Sequence, residues 1–346
     1  MINIPDIITH YIFGLEATQQ IKKSKKIYQD ISKYRELFYL GCQGPDPMFY
    51  HNNHKKRNFV PVANLMHREN TKDFIKSALD YVYHKQFQTK STVVNSNKNQ
   101  NITAETEQCL AYIAGFLCHY ILDTAAHPYV FYIGGKYIKT QPSTYKYKSF
   151  HRKIESGIDY LLLEEYFGLK ANKFKIHKNI LQSKTVANSI LKLYEYSLYN
   201  TYHIKHGGKI FSDSYSQFRN YFILTFDSFG LKKLIAKVIA PILPKGITGF
   251  VDSCSYYKCA DPNFDYLNLS KSLWLHPVTG YKYYLNFFEI LDLAYASISE
   301  ILGELNNVFY GQTHDDISNL YDMIPNYSYS SGLDVSDRRP FKYAIF

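Results

Sequence analysis

From Glu105 to about Tyr132 the chain is almost wholly apolar or small, long enough to tempt a transmembrane assignment, yet the stretch HYILDTAAHP places His119, Asp123 and His127 inside it. Ionisable groups are expensive in lipid. Pro128 interrupts the run and its flanks lack basic anchors. The segment therefore reads as a central helix buried in a soluble bundle and not as a bilayer span.

Burial makes those three groups a second constraint. Residues four apart on a helix share one face and lie roughly 6 Å apart along the axis, so His119 and Asp123 can grip one metal ion together. His127, eight residues from His119, lies roughly 12 Å further on and must serve a different ion. Asp123 sits between them, and its two carboxylate oxygens make it the natural bridge. The stretch HRKIE repeats the device with His151 and Glu155, a pair able to complete the site that His127 begins. Three mixed His and carboxylate ligands leave a position open for water, the pattern of a catalytic zinc. Each pair alone arises by chance in many helical proteins. Several buried ionisable groups on apolar faces, however, call for a common neutraliser.

The rest of the chain reads as all-α, a multi-helix bundle around a buried zinc cluster, with no internal repeat and no strong alternating strand. Pro5, Ile7, Ile8, Tyr11, Ile12 and Leu15 predict a helix beginning near residue 4. GCQGPDPMF, 41–49, reads as a loop, and Asn64 to His84 as a helix. The polar run 92–103 is a surface loop, with Thr103 or a neighbour as helix cap. Helices are predicted over Phe150–Phe167, ending at Gly168, over 180–203 and over 283–310. The basic amphipathic stretch 231–250 reads as a helix packed on the core with its lysines solvated; interfacial membrane contact is the alternative. The 346 residues form one domain, in which 171–265 is a divergent elaboration.

Composition narrows the setting. The cysteines (Cys42, Cys109, Cys118, Cys254 and Cys259) are odd in number and lack a CxxC pair, which suggests reduced thiols and a cytoplasmic protein. MINIPDIITHYIFG does not read as a signal peptide. Forty Lys+Arg against thirty Asp+Glu, a net charge of +10, favour anionic partners: a phosphodiester, an acidic membrane surface met peripherally, or nucleic acid.

Read in order, PDIITHYIFG, LGCQGPDPMFYH, NLMHREN, AGFLCHYILDTAAHP and HRKIESGIDYLL resemble the bacterial zinc-dependent phospholipase C family, whose trinuclear site is shared with fungal zinc nucleases. The resemblance covers roughly residues 4–170, with a weaker echo at LWLHPVTG. It implies ligands His10, Asp46, His67, His119, Asp123, His127, His151 and Glu155. One zinc would take Asp46, His67, His119 and Asp123, a second His127, His151 and Glu155, and a third His10 with Asp123. The implied reaction is attack of zinc-activated water on a phosphodiester, such as a phospholipid yielding diacylglycerol and a phosphorylated head group. Asp46 and Glu155 are the candidate catalytic carboxylates, Asp46 to orient or deprotonate the water. Secreted members complete the third zinc with their N-terminal amine; here Met1 or Asp6 stands in that place. Their choline-pocket aromatics are replaced by Pro47 and Asn64. Other residues have bland readings: His51 and His54 in a basic solvated loop, Cys118 in the core, and Asp159 either bonded to a ligand histidine or capping a surface turn.

Overall fold

The computed structural model describes residues 7–51, 62–88, 102–138, 140–147, 150–239, 260–311 and 316–345. Along the chain come α1 (Ile7–Gln20), α2 (Lys26–Lys33), α3 (Arg35–Gly41), a 3₁₀ turn (Asp46–Tyr50), α4 (Val62–Arg68), α5 (Thr71–Gln88) and α6 (Ala104–Ile133). There follow α7 (Phe150–Phe167), the single turn α8 (Ile176–Asn179), α9 (Asn188–Tyr202), α10 (Gly207–Thr225), α11 (Leu231–Ile239), α12 (Phe287–Tyr310) and α13 (Ile317–Met323). Among the described residues the one sheet is an antiparallel pair, Trp274–Leu275 with Lys282–Tyr283. The all-α class holds.

The long apolar helix α6 is the axis. Thr103 caps it, its hydroxyl accepting from the Thr106 amide at 3.2 Å. It is long and apolar enough to cross a membrane, but 94% of its most apolar window is buried inside the protein, so its hydropathy serves the core. Helices α1, α2, α3, α5, α7, α9 and α12 all pack against it. The closest approach is to α3. A Cβ on Gly41 would stand 2.1 Å from the Tyr112 carbonyl oxygen, and one on Gly115 2.2 Å from that of Phe38. Only two glycines facing each other let these backbones come so near, and that approach carries the 3₁₀ turn after α3 toward the polar face of α6.

Several element boundaries depart from the sequence pattern. The helix expected over 64–84 is two, α4 and α5, broken at Asn70, whose φ of 51° is one that asparagine tolerates better than most residues. The helix expected over 180–203 begins only at Asn188. Helices α2, α3 and α10 lie where periodicity predicted none. In contrast, α7 ends as expected, with Gly168 at φ 63° and its amide on the Glu164 carbonyl at 2.9 Å, and α12 opens with a capping box between Asn286 and Glu289. Within 171–265, α9 packs on α5 and α6, while α10 packs on α9 and the 3₁₀ turn. Over 231–239, the described part of the 231–250 helix, the expected core packing is not found: Leu231, Leu234, Ile235 and Val238 face solvent. Pro5, residues 240–259 and most of the 92–103 loop lie outside the described residues.

The glycine contact yields a prediction. Gly115→Ala forces a Cβ into the α3 backbone and should destabilise the fold by about 1–3 kcal/mol through overpacking, read as a lowered midpoint in urea unfolding; an unchanged midpoint would refute the close approach.

Candidate metal centre

Four elements bring their ionisable side chains to one face of α6. Helix α1 supplies His10, the 3₁₀ turn Asp46, α4 His67, and α7 His151 and Glu155, opposite His119, Asp123 and His127 of α6 itself. Asp123 is the focus. Its Oδ1 lies 3.0 Å from His10 Nε2, and its Oδ2 lies 3.3 Å from His119 Nε2 and 3.5 Å from His127 Nδ1. Asp46 Oδ1 meets His67 Nε2 at 3.1 Å. Further along the face, Glu155 Oε1 lies 2.8 Å from His151 Nε2 and 3.7 Å from His127 Nε2. Three groups have ligand atoms within 4.8 Å of one another: His10, Asp46 and His119; His67, His119 and Asp123; His127, His151 and Glu155. The structure thus draws together all eight residues singled out in the sequence, and His127 falls in a different group from His119, as the eight-residue spacing requires.

Hydrogen bonds at the back of the rings set which nitrogen faces inward. His67 Nδ1 lies 2.6 Å from the Ala63 carbonyl oxygen, His119 Nδ1 3.2 Å from that of Cys42, and His127 Nδ1 2.9 Å from that of Tyr329. A carbonyl only accepts, so each Nδ1 carries a proton, and the Nε2 of each ring is the nitrogen that a metal would take. Such back-bonding is the usual support of a metal-binding histidine. His119 Nε2 and Glu155 Oε2 are buried without a hydrogen-bond partner. A lone pair facing a carboxylate needs a cation between them, either a proton or a metal. A proton is disfavoured at His119: burial first, then the neighbouring His10, push its pKa well below the ordinary histidine value despite the opposing pull of Asp123. The donor set of imidazole nitrogens and carboxylate oxygens around buried, unpartnered atoms fits zinc.

The carboxylates differ among themselves. Burial pushes Asp123 up, but His127, His119 and His10 together overcome it and hold the carboxyl well below the usual range. Burial also raises Glu155, and His151 and His127 bring it down to about 2. At Asp46 burial prevails over His67, and its pKa is raised.

Neighbouring residues hold the cluster in place. Gly44, at φ 49°, passes directly over His119, where a Cβ would lie 2.1 Å from the ring. Asp159 caps no surface turn. It is buried and accepts from the Ile8 amide at 3.2 Å and from the Thr9 amide and hydroxyl at 2.7 and 2.9 Å. It thereby caps the start of α1 and fixes the residue next in line, His10. His51 is buried rather than solvated. Cys42, Cys109 and Cys118 are buried free thiols. His276 of the LWLHPVTG echo supports structure: its Nε2 lies 3.0 Å from the Ser331 carbonyl oxygen, and its Nδ1 accepts from the Val278 amide at 3.2 Å. Met1, Asp6, His54, Cys254 and Cys259 lie outside the described residues.

Periodicity gave no hint of Tyr329. Its ring lies 4.8 Å from His67 and 5.7 Å from His119, its carbonyl orients His127, and its amide donates to the His67 carbonyl at 3.1 Å. Tyr120 anchors the same segment, its hydroxyl donating to the Pro325 carbonyl and accepting from the Tyr327 amide, both at 2.7 Å. Tyr329 is 1% exposed. Part of the cover over the cluster therefore comes from the segment around 325–332. Phe131, against His151 at 4.6 Å and Phe341 at 4.6 Å, closes the other end.

The profile of the family described as "Zinc dependent phospholipase C" matches residues 9–229. No curated protein and no solved structure matches the chain.

His127 gives the centre a pH signature. Burial alone would lower its pKa, but Asp123 and Glu155 raise it from 6.5 to about 9. In the metal-free protein that ring contributes stability fully below pH 6.5 and loses it as pH rises through about 9. Zinc needs the ring neutral, so metal affinity runs the other way. Across that window the stripped protein should lose thermal stability while zinc affinity, titrated against a competing chelator, rises; slopes of the same sign would contradict the assignment.

Proposed function

Because the chain belongs to the zinc-dependent phospholipase C family, we propose that it hydrolyses a phosphodiester with zinc, cleaving a phospholipid to diacylglycerol and a phosphorylated head group. The observation that supports this most is Asp123, which faces His10, His119 and His127 within 3.0–3.5 Å and so joins the two ends of the cluster. In this reading one ion is held by Asp46, His67, His119 and Asp123, a second by His127, His151 and Glu155, and a third by His10 with Asp123. Zinc bound there supplies Lewis acidity toward phosphoryl oxygens and lowers the pKa of water.

The protein's own groups have separable tasks. The Nδ1–H bonds of His67, His119 and His127 keep their rings aimed without further adjustment. Asp46, whose Oδ1 meets His67 at 3.1 Å, is the candidate to orient or deprotonate the attacking water. Glu155 keeps Oε2 unpartnered while its other oxygen faces His151, so it can both hold position and orient water.

A second reading has its own observation. The cavity lined by His10, Asp123, His127 and Glu155 has a volume of about 10 Å³, room for one water and no lipid, and Tyr329 lies over the neighbouring rings. That favours a zinc-stabilised bundle that binds and does not catalyse. The net charge of +10 also suits a nuclease or a hydrolase of small phosphodiesters.

One experiment separates these readings: metal content of the purified protein, with turnover of phosphatidylcholine, other phospholipids, single-stranded DNA and a soluble nitrophenyl phosphodiester. The hydrolase reading expects bound zinc, turnover, and a loss of roughly 100-fold or more in Asp123→Asn. Zinc with no turnover on any substrate moves the conclusion to the binding reading. Absence of zinc defeats both.

A further inference from the structure

The apolar side chains of α11 are arranged for a surface other than the protein's own core. Leu231, Leu234, Ile235 and Val238 recur at the spacing of one helix face, yet they are 60%, 60%, 59% and 70% exposed. Leu224 and Phe229, just before them, are 71% and 75% exposed. Single exposed apolar residues are ordinary; six between Leu224 and Val238 form a patch of the kind that marks an interaction site.

A basic strip lies beside the patch. No acidic residue occurs between Glu165 and Glu195, a stretch that contains Lys170, Lys173, Lys175 and Lys178. Contacts fix this strip against the apolar segment. Lys173 Nζ donates to Ser228 Oγ at 2.9 Å and stands 4.9 Å from the centre of the Phe229 ring. Asn172 Nδ2 donates to the Ser228 carbonyl at 2.9 Å, and Lys175 Nζ stands 5.5 Å from the Phe226 ring. Helix α11 itself contributes Lys232.

We infer that this face docks on an anionic lipid bilayer, the apolar side chains of α11 entering the boundary between head groups and acyl chains while the lysines meet lipid phosphates and carboxylates. An amphipathic helix rich in lysine lies in a bilayer surface in this way, and basic residues beside it add attraction to acidic lipids. Charge selects this occupant over a second copy of the chain. A two-fold pairing sets a patch against itself and would bring the lysine strips of both copies to one interface. Nucleic acid would use the lysines but leave the apolar face in water. The inference stands on this face alone and goes beyond the hydrolase reading.

Flotation of the purified full-length protein with vesicles tests it, using phosphatidylcholine alone and phosphatidylcholine mixed with phosphatidylserine. The expected result is flotation with the mixed vesicles, weakened by salt and poor with phosphatidylcholine alone. Leu234→Asp combined with Ile235→Asp should reduce it roughly tenfold or more with unchanged melting temperature and unchanged zinc content. Lys173→Ser with Lys175→Ser should weaken binding to the mixed vesicles only. Turnover of the soluble phosphodiester, measured in the same samples, reports on the metal centre separately. Three outcomes would overturn the inference: no flotation of the wild type, flotation indifferent to the α11 substitutions, or a wild-type dimer in light scattering that those substitutions dissociate.

Discussion

Everything in the site turns on a carboxylate that is nearly without water. Asp123 is 4% exposed, and an ionised group so placed is tolerable only when it is paired. Its pairing comes from three histidines, one on a different helix and two on its own, before and after it. That arrangement dictates much of the rest. Helix α6 must be buried to shield it, α1 must cross at His10 to reach one oxygen, and the 3₁₀ turn must come close enough for Asp46 to share the neighbourhood. The glycine pair at the α3–α6 contact and the glycine over His119 are consequences of that crowding.

The bundle also separates two kinds of rigidity. The histidines are held from behind by backbone carbonyls belonging to the 3₁₀-turn approach, to α4 itself and to the segment after α13. The carboxylates are held mainly by the histidines. Imidazole nitrogens and carboxylate oxygens face one another at short range, a donor set that a divalent metal would satisfy. Metal bound there would therefore add to the stability of the fold.

How much of this was legible in the sequence depends on range. The spacing in HYILDTAAHP follows from helix geometry alone, and so did the separation of His119 from His127. His10, Asp46 and His67 lie on elements whose packing no local pattern reveals; only the ordered resemblance to a family tied them to the site. Helix α10 was missed because Gly207 and Gly208 look like a break, whereas they sit where a Cβ would lie 2.5 Å from α9 carbonyl oxygens: they are contact residues, not punctuation. Asp159 has a polar side chain whose partners, Ile8 and Thr9, lie about 150 positions away in the chain, beyond any periodic signal. Tyr329 is one of thirty-four tyrosines, and it was indistinguishable from the others until folding set its carbonyl behind His127. The exposed stripe of α11 has the same spacing as a buried one, because periodicity reports that a face is apolar but not what covers it.

Tyr329 also bears on when the centre comes into being. The groups that would hold metal arise from His10 onward and are all synthesised by Glu155, yet the carbonyl that sets the His127 ring and the ring that seals His67 and His119 come more than 170 positions later. During translation the nascent bundle would expose a nearly complete set of donors with its lid still unmade. Metal bound in that interval would meet a more open set of donors, and the arrival of Tyr329 then covers the His67 and His119 rings. Loading at the His67 and His119 end would then be easier during synthesis than afterwards.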